Sequence, residues 1–94
     1  MIRVILHKGI KAYYHGKAAI PTRLRDVEGE LRRWLSILAA SNSARDLRWA
    51  GSSLTRRAGG YALAVDGLGQ FMFRLTKRDL SRLYDVDQLD FQPL

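Results

Sequence analysis

GYALAVDGLGQFMFRL, residues 60–75, decides the fold of this chain. It reads as two short strands, 61–65 and 70–75, joined across a tight turn at Asp66-Gly67. An Asp-Gly pair between alternating apolar runs is a strong local hairpin signal, because Gly accepts the positive φ that such a turn demands. Arg56 and Arg57 precede the hairpin, and Arg74, Lys77, Arg78 and Arg82 lie on or after its second strand. If the strands pair across Asp66-Gly67, both groups of cations meet at the open end. A rigid hairpin framed in this way is a candidate polyanion-binding surface.

Outward from the hairpin, residues 2–6 (IRVIL) read as a first strand and residues 8–15 as a short helical segment ending near Gly16. The clearest helix begins around Pro21-Thr22 and runs to Ala40. Leu24, Val27, Leu31, Trp34, Leu35 and Leu38 recur there at three- and four-residue spacing, the mark of one buried stripe. Glu28 and Arg32 form an i,i+4 pair on its outer face. Gly29 in the interior reflects either close packing or tolerance of an empty position. Residues 41–53 are a polar connection in which Trp49 is expected to close the core, with base stacking or partner contact as its other roles. A short strand near Leu54 precedes the hairpin, and the last strand covers 83–89. Strand, two helices, then three or four strands with short links predict an α+β domain with helices on one face of an antiparallel sheet.

The 94 residues suffice for one domain with a modest core. With 47% hydrophobic and 27% charged residues, the composition is that of a globular chain. The absence of cysteine excludes disulfides, thiolate metal sites and cysteine nucleophiles. The N-terminal apolar run is too short for a signal peptide and no stretch is long enough to span a membrane, so a soluble cytoplasmic protein is expected. Sixteen Lys/Arg against nine Asp/Glu give a net charge of +7. Residues 1–25 carry Arg3, Lys8, Lys11, Lys17, Arg23 and Arg25 without an acid, whereas the tail carries Asp85, Asp87 and Asp90 without a base. Such a basic pole attracts nucleic acid or an acidic protein, with salt-sensitive binding.

The two histidines, His7 and His15, have no neighbouring carboxylate in the sequence and read as surface or packing residues, not as a metal pair. Gly59-Gly60 lacks the strand-to-helix context of a phosphate loop and reads as a turn. Trp34 belongs to the core stripe, and Arg32-Arg33 to a solvated helix face.

Many weak matches in the same order make the chain resemble the HigB-like toxins of the RelE/ParE superfamily, from bacterial type II toxin–antitoxin systems. Ile2-Arg3 and Lys8-Gly9-Ile10 correspond to the family's start and its Lys-Gly-Leu. Leu31-Arg32-Arg33, Leu35, Ala39-Ala40-Ser41, Asp46-Leu47 and Gly51 follow where the family has a Leu-Arg-Arg helix, Ala-Ala-Thr, Asp-Leu and Pro-Gly. Residues 61–75 fit without gaps through Val65, Asp66-Gly67 and Phe73-Arg74, and Tyr84, Val86 and Asp87 fit the last strand.

The resemblance implies a RelE-like fold over residues 1–94 and cleavage of mRNA on the ribosome without metal or cofactor. It also implies a partner antitoxin, HigA-like, carrying a helix-turn-helix. Cleavage by the RNA 2′-hydroxyl needs a base, cations on the crowded phosphate and an acid for the leaving 5′-oxygen. The positions it assigns to this chemistry are Arg56, Arg57, Gln70, Lys77, Asp90 and Gln92, with Asp90 or Lys77 as base. Lys8, Lys17, Arg74, Arg78 and Phe91 are its RNA contacts. The chain departs from the pattern at Gly69-Gln70, where the family has an aromatic–Arg pair, and at Phe91-Gln92, where it has aromatic–His. Gln hydrogen-bonds a phosphate but neither carries charge nor titrates near neutral pH. The alternatives are therefore a relative that acts by binding, as a ParE-like target block or antitoxin partner, or a basic α+β adaptor unrelated to toxins.

Overall fold

The computed structural model describes residues 1–80 and 82–94. Helices α1 (Lys8–Tyr14) and α2 (Glu28–Ala40) precede four strands, β1 (Ser52–Arg57), β2 (Gly60–Val65), β3 (Gly69–Lys77) and β4 (Tyr84–Pro93). The strands form an antiparallel meander in the order β1-β2-β3-β4. The α+β class expected from the sequence is the observed one, with four strands.

The alternation in the hairpin does what its pattern predicts. Leu63 pairs with Phe71 and Val65 with Gly69, which puts Leu63, Val65, Phe71 and Phe73 on one face. All four are buried, and with Ile10, Leu31, Trp34, Leu35, Leu38 and Leu89 they make one core between helices and sheet. The second strand starts one residue earlier than expected, at Gly69, so the connection spans three residues and not the four between the predicted strand ends. Asp66, Gly67 (φ +76) and Leu68 intervene between the paired Val65 and Gly69. Leu68 drops into the core at 2% exposure.

The stripe of the long helix is buried apart from the half-buried Val27, but its first turns are not α-helical. Residues Thr22–Val27 wind as a 3-10 helix behind Pro21, and α2 begins at Glu28. Glu28 and Glu30 in the first turn complement the helix dipole in the absence of a side-chain cap. Arg32 pairs with Glu28 at 2.9 Å, and Tyr13 from α1 donates its hydroxyl to the same carboxylate at 3.1 Å. Nothing lies within 4 Å of a Cβ built on Gly29, so tolerance and not close packing explains that residue.

Two expectations about the sheet edge change. Residues 2–6 form no regular strand: they run parallel to β4 and touch it through isolated bridges, Ile2 to Val86 and Ile5 to Leu89. The cause is a bulge in β4, where Gln88 takes φ +50 and the register against β3 slips between Met72 and Arg74. A bulge breaks the two-residue period, so an adjoining segment cannot follow with an even ladder. The last strand also runs on to Pro93, four residues past its predicted end. Asp85 is only 2% exposed on this strand and accepts from Arg3 at 3.1 Å and Arg78 at 2.6 Å, with the N-terminal amine 3.5 Å away. These contacts pin the N-terminal segment and the β3–β4 connection together. The Arg78 guanidinium, helped by Arg3 and opposed by burial, holds the Asp85 carboxyl well below the usual range, at about 2.

Candidate nucleic-acid interface

β1 ends in Arg56-Arg57, and Ala58-Gly59 turn the chain into β2. Arg56 faces Tyr61 across the ladder, and Tyr61 faces Phe73 on β3. The Tyr61 ring stacks on Phe73 with centroids 6.0 Å apart, which fixes the phenol beside the arginine pair. Arg74 leaves β3 one residue later, and its Nη2 lies 3.7 Å from a Cβ built on Gly59, so its guanidinium reaches the same turn. Arg56, Arg57, Arg74, Tyr61 and Tyr84 thus border one open groove of about 560 Å³, closed on its far side by Ser43 and Ala44.

Among the described residues, the ion pairs engage Arg3, Arg32, Arg33, Arg78 and the N-terminal amine, and none engages Arg56, Arg57 or Arg74. Asp87, the cross-strand neighbour of Arg74, spends its carboxylate on the Thr76 hydroxyl (3.1 Å) and the Gln88 amide (2.9 Å). Three exposed guanidiniums around one concavity with two phenols are suited to a phosphate chain, since arginine presents a rigid donor fork to phosphate oxygens.

The other positions singled out in the sequence do not all converge here. Asp90 does not border the groove: with Arg57, Arg74 and Tyr61 it lines a separate depression around the same strand ends. Its carboxylate accepts the Phe91 amide at 2.9 Å. Gln70 and Gln92 instead face each other across β3 and β4 at the hairpin's loop end. Four strand positions separate Gln70 from Arg74, about 13 Å along the sheet. Lys77 is exposed at the far end of β3, opposite Tyr84. Lys8 opens α1 and Lys17 follows it; both are exposed and neither borders the groove.

Phe91 is not an RNA contact. It is 4% exposed, with its ring 4.8 Å from that of Phe71, because the continued β4 alternation turns residue 91 inward and residues 90 and 92 outward. Arg78 is drawn into the Asp85 network, and that hydrogen bond raises its pKa further above the ordinary arginine value. The departure at Gly69-Gln70 has a steric basis: Gly69 sits at φ +142, and a Cβ there would collide with the Gln92 carbonyl oxygen, so this backbone admits no aromatic side chain at 69.

His7 caps α1, its Nδ1 accepting the Ile10 amide at 3.2 Å, and His15 closes the same helix. Among the described residues no three His, Asp or Glu side chains gather as metal ligands. Trp49 does not close the core: it is 49% exposed. Sequence reasoning missed Tyr61 and Tyr84 at the groove, since their alternation marks strands without saying which strand end stays uncovered.

Comparison of the chain with protein-family models, curated proteins and solved structures returned no match. The functional reading therefore rests on this chain's own residues.

Proposed function

We propose that the chain is a HigB-like toxin of the RelE/ParE superfamily that binds mRNA in the arginine groove and cleaves it on the ribosome. One observation carries the reading: Arg56, Arg57 and Arg74 meet at the end of the sheet with no ion pair among the described residues. The order of elements is compatible with it: an N-terminal extended segment, two helices and an antiparallel meander.

In this scheme Asp90 takes the proton of the RNA 2′-hydroxyl as its oxygen attacks the adjacent phosphorus. Arg57 and Arg74, beside Asp90, stabilise the charge that builds on the phosphorane oxygens. Tyr61, which borders both the groove and the depression, protonates the departing 5′-oxygen. A 2′,3′-cyclic phosphate and a 5′-hydroxyl result, and proton return from Asp90 to Tyr61 through water resets the site. Asp90 is preferred to Lys77 as base because it shares a depression with two arginines.

A helix-turn-helix antitoxin is the partner this reading expects. Induction in growing cells should arrest growth, the antitoxin should relieve the arrest, and Arg56→Ala/Arg57→Ala should abolish it. Growth unaffected by the wild-type chain, with the protein present and folded, would refute the toxin reading.

A second reading, action by binding alone, is favoured by the position of Gln70 and Gln92. They stand at the opposite end of the hairpin from the arginines and hold no titratable group. It predicts arrest that survives Asp90→Asn and Tyr61→Phe, whereas the cleaving toxin loses activity in both while still binding RNA.

A further inference from the structure

The 3-10 turn Ala44–Leu47 separates the arginine groove from a second cleft of about 570 Å³. Ala44 borders the groove, while its neighbour Arg45 lines the second cleft with Arg48, Trp49 and the α2 residues Ile37 and Ala40. Trp49 is half open to solvent, yet it is held in place. Its indole Nε1–H donates to the Asp46 carbonyl at 2.8 Å, and the Arg33 guanidinium stands 6.0 Å from the ring centroid. The one carboxylate of the cleft, Asp46, accepts the Asn42 amide at 2.8 Å. Arg45 and Arg48 are exposed and have no ion pair among the described residues.

A fixed aromatic plane beside free arginines, one turn from a second arginine cluster, matches the needs of an unpaired nucleotide strand. Bases stack on the ring while cations follow the backbone. The cleft offers a single flat ring among charges, not the row of spaced apolar anchors that a docked amphipathic helix requires. We propose that Trp49 is a base-stacking subsite for single-stranded RNA, whose backbone crosses the Ala44–Leu47 turn into the groove of Arg56, Arg57 and Arg74. The inference rests on the RNA-binding reading above and adds to it a second point of contact at a named side chain.

The probe is a single-stranded oligouridylate about ten nucleotides long, beside its abasic analogue and an RNA duplex, titrated against the full chain. Trp34 is enclosed in the core, so quenching of the exposed indole reports Trp49 and needs no variant. Saturation should quench that emission, and Trp49→Phe should remove the quenched component. Trp49→Ala should weaken binding roughly five- to a hundredfold while leaving the salt dependence unchanged, because stacking carries no charge. The abasic analogue should bind both proteins alike, and the duplex should leave emission unquenched.

Unquenched emission at saturation overturns the subsite, as does equal affinity of Trp49→Ala for the oligomer, which would leave this patch to a protein partner. If affinity still depends on Arg56 and Arg57 in those cases, the RNA-binding reading stands. Loss of that dependence, or no binding to any oligomer, overturns both.

Discussion

Removing Arg56 and Arg57 together should change the salt dependence of RNA binding more tellingly than the affinity at any one salt concentration. Each guanidinium that neutralises a phosphate releases a condensed counterion, with a slope of about −0.7 in log K against log salt per contact on a single strand. The groove presents Arg56, Arg57 and Arg74, none held by a carboxylate among the described residues. Three contacts give a slope of about −2, so affinity falls about 18-fold between about 50 and about 200 mM salt. Arg56→Ala/Arg57→Ala leaves one contact, a slope of about −0.7 and a fall of about 2.6-fold over the same range. Contacts at Arg45 and Arg48 would steepen both lines equally, so the difference of about 1.4 in slope is the quantity to read. Fluorescence anisotropy of a labelled oligomer at four or five salt concentrations measures it. Parallel lines for wild type and variant would refute the assignment of phosphate contacts to Arg56 and Arg57, whatever the change in affinity.

Three further outcomes test the fold beneath the site. Gly29→Ala should stabilise the chain by about 1 kcal/mol, because the helix gains propensity and the new methyl meets open space; calorimetry should show Tm higher by about 4–8 °C. Phe91→Ala should cost about 3–5 kcal/mol in denaturant unfolding, the price of a large core cavity; an undiminished midpoint would restore Phe91 to the surface. Asp85, held near a pKa of about 2 against about 3.9 unfolded, contributes stability that is complete above about pH 5 and lost as pH falls through about 2. Acid titration of unfolding midpoints should show that loss, and Asp85→Asn should flatten it.

The hairpin and the α2 stripe were legible because local patterning and burial agree there: Asp66-Gly67 turns, and each apolar residue of 61–65 and 71–73 pairs as its period demands. Tyr61 and Phe73 even fix the end at which Arg56 and Arg74 meet. Where non-local pairing decides, the sequence was silent. No local signal marks Gln88 for φ +50, yet its bulge breaks the N-terminal ladder. The same bulge lets β4 continue past residue 89, which buries Phe91 and sends Gln92 to the opposite end of the sheet from the arginines. Asp85 looked like one acid of a polar tail; only the folded chain brings Arg3 and Arg78, seven and more positions away, onto it. Trp49 misled because an aromatic residue is most often core, and its exposure follows from the short 3-10 turn that precedes it.

If this site cleaves translated message, the 5′ ends of transcripts carry the mark. A reporter mRNA, with and without its start codon, would be mapped after brief induction of the wild-type chain, of Arg56→Ala/Arg57→Ala and of Asp90→Asn. The wild type should give new 5′-hydroxyl ends within the coding region, dependent on the start codon and absent in both variants. Growth arrest with intact reporter transcripts would contradict it.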